Sequence, residues 1–97
     1  MPVIVSHNPG APEEQVIEEM ARDGFEAAAQ DYSSGSTEPH HHDYDVCLYI
    51  LDGEFRLNEV ARETIHRFGP GDRISLDRGT VHSEEHGKLR MIVGRRH

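Results

Sequence analysis

The stretch PHHHDYDVCLYILDGE, Pro39–Glu54, carries two signals in succession. Its first half is polar and sets three adjacent histidines beside Asp43 and Asp45. Its second half, DVCLYIL (Asp45–Leu51), is an apolar run that ends at Asp52-Gly53. A short apolar run without polar alternation reads as a strand buried on both faces, and Asp-Gly is a strong hairpin signal. Such a strand needs cover on both sides, as inside a sandwich or barrel. Histidine runs are commonly purification tags. This one holds only three histidines and lies mid-chain before a buried strand, so it calls for a structural or chemical reason.

Working outward, the segments that follow are short, and several alternate. EFRLNEV (54–60) points Phe55 and Leu57 one way, ETIHRF (63–68) sets Ile65 on one face, and RISL (73–76), TVHSEE (80–85) and KLRMIVG (88–94) read as further strands. GPGD (69–72) and DRG (77–79) are turns by composition. Upstream, FEAAAQDY (25–32) reads as a strand and SSGST (33–37) as a turn. PVIV (2–5) is a short strand and SHNPGAP (6–12) a turn region. Between that turn and Gly24 the period changes. Val16, Ile17, Met20 and Ala21 share one helical face, Pro12 suits a first turn, and acidic residues crowd the N-terminal end. The spacing predicts one helix over 12–23, packed by its apolar stripe on a sheet. About seven strands with regular turns point to a mostly β sandwich or small barrel.

Ninety-seven residues fit one domain over 1–97, with a strand and helix in 1–24 and a β-barrel in 25–97. A net charge of −8 argues against nucleic acid and anionic membranes, which need clustered Lys and Arg. The single cysteine, Cys47, forbids an intrachain disulfide and reads as a small core residue. No apolar run nears the ~18 residues that cross a membrane, and no signal peptide is evident. The expectation is a cytoplasmic protein. Eight histidines are the one compositional excess.

At this point two segments, PHHHDYDVCLYILDGE and GPGDRISLDRGTVHSE, resemble the two motifs of the cupins. Those motifs have the forms G-x5-H-x-H-x3,4-E-x6-G and G-x5-P-x-G-x2-H-x3-N. The resemblance spans about Gly35–Gly94 and implies a small double-stranded β-helix, the cupin jelly-roll barrel, with one N-terminal helix. Gly71, Gly79 and His82 fall at the second motif's intervals, with Asp77 where proline is usual and His86 where asparagine is usual. Counting back from Gly53 puts the first motif's histidine pair at His40 and His42; counting forward from Gly35 gives His41 and Asp43. The backward count is preferred, because the strand and its turn fix the register. The family's glutamate would fall at Val46 or Cys47, and Asp45 lies one residue short.

The resemblance thus implies a metal held by His40, His42 and His82, with Asp45 as the candidate fourth ligand. In a strand, His40 and His42 point the same way and His41 the other way. Imidazoles with a carboxylate suit Fe, Mn, Ni, Zn or Cu without choosing among them. A bulge could turn Asp45 inward; its rival role is a partner for a ligating histidine. Tyr44 and Val46 share the face of His42. Tyr44, Asp45 and Glu84 are candidate acid–base groups, and Arg56, Arg73 and Arg78 candidate anion contacts.

Three functions follow as expectations. The first is a metal-binding cupin with a small-molecule site in the barrel, of oxygenase or isomerase type if catalytic. The second is a non-catalytic metal- or ligand-binding or sensor module. The third is a three-histidine Fe(II) enzyme similar to the thiol dioxygenases, for which Cys47 matches one variant, although their Ser-His-Tyr relay is not evident. The expected partners are a small molecule and a second copy of the chain, a homodimer joined through edge strands PVIV and MIVG.

Overall fold

In the computed structural model, which describes residues 3–97, the elements are β1 (Val3–His7), α1 (Glu13–Arg22), β2 (Glu26–Tyr32), β3 (Gly35–Ser36), β4 (Asp45–Asp52), β5 (Phe55–Glu59), a 3-10 turn (Val60–Arg62), β6 (Thr64–Phe68), β7 (Asp72–Leu76), β8 (His82–His86) and β9 (Leu89–Arg96). Pro2, expected to open the first strand, lies outside the described residues. The strands form a five-stranded sheet, ordered β1-β7-β4-β9-β2, and a four-stranded sheet, ordered β3-β8-β5-β6. Every pairing is antiparallel.

The apolar run of β4 explains how the layers stack. Val46, Leu48 and Ile50 point between the sheets and join Phe55, Leu57, Ile74 and Met91 in one core. Cys47 and Tyr49 point the other way and join Val16, Met20, Phe25 and Ile92 in a second core beneath the helix. The helix therefore covers the outer face of the five-stranded sheet. Its bounds match the reading closely, with Pro12 as N-cap and Asp23 as C-cap. Val16 and Met20 are buried as expected, whereas Ala21 is exposed.

Four readings are corrected or completed. Asp52-Gly53 does not close a hairpin, because β4 and β5 belong to different sheets. The turn is a corner that carries the chain from one sheet to the other. Gly53 has φ 96° there, and a Cβ would collide with the Lys88 carbonyl oxygen and stand 3.2 Å from Leu89 Cα. SSGST contains a two-residue strand, β3, paired to β8. Ile65 faces solvent at 65% exposure, while Phe68 of the same strand is buried. MIVG is not an edge either: β9 lies between β4 and β2, and the edges of its sheet are β1 and β2. Strand order is a non-local property that segment-by-segment reading does not reach.

Candidate metal centre

The mouth of the barrel is built from β4, β7, β8, β9 and the segment before β4. His82 opens β8, and its backbone pairs with His40 in an isolated bridge. Each residue's N–H donates to the other's carbonyl at 2.9 Å. This bridge fixes the His40 end of the polar stretch, and the Gly79 N–H fixes the other end by donating to the His42 carbonyl at 2.9 Å. Between these anchors His40 and His42 turn toward His82, while His41 is exposed. The ligand atoms of His40, His42 and His82 all lie within 4.8 Å of one another. Ring centroids are 4.4 Å apart for His40 and His82, and 5.1 Å apart for His40 and His42.

The ring nitrogens are already sorted. Nδ1 of His40 lies 2.8 Å from the Glu38 carbonyl, and Nδ1 of His82 lies 2.9 Å from the Thr80 carbonyl. A carbonyl only accepts, so both Nδ1 atoms donate, and in the neutral rings the lone pairs sit on Nε2. Tying one ring nitrogen so that the other can ligate is the usual arrangement at metal-binding histidines.

Glu84 follows His82 on the same face of β8, two residues on. Its Oε1 lies 3.2 Å from Nε2 of His82 and 3.8 Å from Nε2 of His40. Burial pushes the Glu84 carboxyl up, but the hydrogen bond to His82 and the histidine charges outweigh it, and its pKa is lowered. Burial likewise pulls His82 down, yet the Glu84 hydrogen bond and the Thr80 carbonyl leave its pKa raised. His42 goes the other way: burial and then its two neighbouring imidazoles lower its pKa. Glu84 was legible only as a candidate acid–base group. The available signal was its place two residues after His82 in a strand.

Asp45 is not brought to the three imidazoles. Strand alternation sets it on the outer face of β4 with Cys47 and Tyr49, opposite Arg96 in register. There the Arg78 backbone N–H donates to its carboxylate at 2.9 Å, and Nη2 of Arg96 lies 3.0 Å away. The Arg78 side chain and backbone, then Arg96, hold the Asp45 carboxyl well below the usual range. No bulge at Asp45 turns it inward; the register shift in β4 falls between Ile50 and Asp52. Cys47 is fully buried beneath the helix, so no thiol faces the histidines. Of the arginines considered, Arg73 contacts Asp23 and Cys47, Arg78 contacts Asp45, and Arg56 pairs with Glu85.

Tyr44 stacks on His42 with centroids 4.9 Å apart, as their shared face implies. Together with the histidines, Tyr44, Tyr32 and Glu84 line a cavity of ≈ 180 Å³ whose floor is apolar, from Val46, Leu76, Met91 and Val93. Arg95 stands at its rim, a lining residue that the motifs did not single out. His86 lies outside this cavity, stacked on Phe55 and edge-on to Tyr32.

Comparison with known proteins agrees with this architecture. A DUF861 family protein from Thermotoga maritima superposes with a TM-score of 0.68 at 13% identity, over 94% of this chain and 96% of that one. A cupin-2 domain containing protein from Shewanella frigidimarina gives 0.65 at 13% identity, over 95% and 80%. The polyketide cyclase RemF from Streptomyces resistomycificus gives 0.64 at 23% identity, over 97% of this chain and 64% of that one. No curated protein sequence matches. These likenesses establish the fold. The cupin domain family matches residues 31–93, which hold both the histidine pair and His82, and the chain belongs to the cupins.

Proposed function

We propose that this cupin holds a divalent transition metal through His40, His42 and His82 and acts on a small molecule bound in the adjoining cavity. The observation that carries the reading is the convergence of three imidazoles from two remote segments, two of them with Nδ1 tied to a main-chain carbonyl so that Nε2 is turned into the cluster. Imidazole donors suit Zn, Fe, Cu, Ni or Mn, and a set of three leaves positions for water or ligand. When bound, such an ion supplies Lewis acidity or oxygen activation.

The chain's own residues supply the rest. Glu84 is placed to accept or return a proton at Oε1, or to complete the coordination shell. Tyr44 fixes the His42 ring by stacking and presents a phenol beside it. The apolar floor keeps water from the inner side of the ligand. The reaction type that suits these groups is an isomerase- or oxygenase-like conversion at the cavity mouth. A thiol-dioxygenase-like reading lacks support here, since Cys47 faces the helix rather than the cavity.

The test is elemental analysis of untagged protein purified without metal-affinity resin. About one equivalent of a transition metal per chain is expected, lost in His82→Ala and kept in Asp45→Asn. Full metal content in His82→Ala would overturn the reading. Turnover is then assayed by dioxygen uptake and by substrate screening of the loaded protein.

A further inference from the structure

Strand β9 directs Leu89, Met91 and Val93 into the barrel core. Two residues on, alternation places Arg95 in the same inward row, opposite Val46 on β4 and Glu26 on β2. Arg95 is exposed, and it continues an apolar core row to the mouth of the cavity that it helps to line. The other arginines of that sheet are paired: Arg73 with Asp23, Arg90 with Glu13 and Asp31, and Arg96 with Asp45. Arg95 has no ion pair among the described residues, although the chain carries 18 acidic residues against 10 basic ones. Glu26, its exposed cross-strand neighbour, is not within ion-pair distance. Arg95 lines the same cavity as Tyr32 and His42.

We infer that the ligand of this cavity is a small organic anion, its carboxylate or similar group held by Arg95 at the rim and its apolar body resting on Val46, Leu76, Met91 and Val93. The inference rests on the reading of the histidine cup as the binding site and adds the chemical class of its ligand. A planar guanidinium is matched to a carboxylate by two parallel hydrogen bonds. The cavity's ≈ 180 Å³ is below the roughly 300–1,000 Å³ of sites for drug-sized ligands, so the anion is a small one. The one carboxylate inside the cavity, Glu84, is engaged with His82 and His40 and leaves Arg95 to the ligand.

The test uses benzoate and hexanoate against benzamide and hexanamide, which keep the shape and remove the charge. Binding is followed by amide chemical shifts of Val46, Met91 and Val93, on metal-free and on zinc-treated protein, in the wild type and in Arg95→Gln. At least one carboxylate should bind roughly tenfold or more tightly than its amide, and Arg95→Gln should abolish that difference. Arg95→Lys should restore part of it. Equal binding of acid and amide, an unchanged preference in Arg95→Gln, or no binding of either carboxylate overturns the inference. Metal content separates the two readings. Arg95→Gln should retain wild-type metal, and a wild type without metal would defeat the proposed function while the metal-free titration still judges Arg95.

Discussion

His40 and His82 exchange both of their main-chain hydrogen bonds, 2.9 Å in each direction, while their rings lie 4.4 Å apart. Main-chain hydrogen bonds therefore dock the two segments that carry the imidazoles. Little conformational entropy remains for a metal to remove, and binding should appear directly as added stability. Adding zinc to metal-stripped protein at a hundredfold excess over Kd should stabilise the fold by about 2.7 kcal/mol, a rise in Tm of roughly 10–20 °C for a chain of this size. A chelator should reverse the shift, and His82→Ala should show none. Differential scanning calorimetry reads both.

Glu84 and His82 set the proton inventory of the metal-free cup. Because Glu84 favours the charged imidazole, His82 should titrate above the ordinary histidine value and His42 below it. Glu84→Gln should bring the His82 midpoint down. The sign follows for stability: the His82–Glu84 interaction is present below His82's unfolded pKa for as long as Glu84 stays ionised, and it is lost as pH rises through the folded one. Histidine Hε1 shifts recorded against pH in both proteins test this, and an unmoved His82 midpoint in Glu84→Gln would refute it.

Asp45 behaves oppositely. Its folded pKa lies below the unfolded value of about 4, so the Arg78 and Arg96 pairs stabilise the chain above that pH and fade as pH falls. Both arginines are about half exposed, at 53% and 44%, which discounts the pairs. Asp45→Asn should cost about 1 kcal/mol at pH 7 and flatten the acid limb of the stability curve. Urea melts at a series of pH values below 5 would show it. A steep acid limb retained in the variant would mean that other carboxylates control acid unfolding.

Gly53 should tolerate no side chain. Its φ of 96° disfavours any L residue, and an added methyl would meet the Lys88 carbonyl at the corner between the sheets. Gly53→Ala should lose about 1–3 kcal/mol or more, seen as a lower urea midpoint with an unchanged m-value. Gly79→Ala, also at positive φ but with open space around it, should lose less.

Much of this architecture was legible because it repeats locally. The apolar run 46–50 announced a strand covered on both faces, and both covers exist, one in each core. His40, His42 and His82 could be located because motif spacing ties them to turns. The unread parts depend on which strand lies beside which. Arg95 enters the cavity only because β9 is central and its inward row runs past Val93 to the rim. Asp45 turns outward because one residue of displacement along a strand means the opposite face. The Asp52-Gly53 corner had the composition of a hairpin, and only the sheet assignment of β5 distinguishes the two.

The helix shields one sheet and leaves the other with a wet outer surface, where Ile65 stands in solvent. Amide exchange should therefore be slowest along β4 and β9 and faster along β5, β6 and β8. His82 belongs to the quicker wall, so an ion gripped by all three imidazoles would act as a rivet between a breathing side and the strand entry beside a quiet one. Slowed exchange at β8 on metal addition would register that fastening without any knowledge of the substrate.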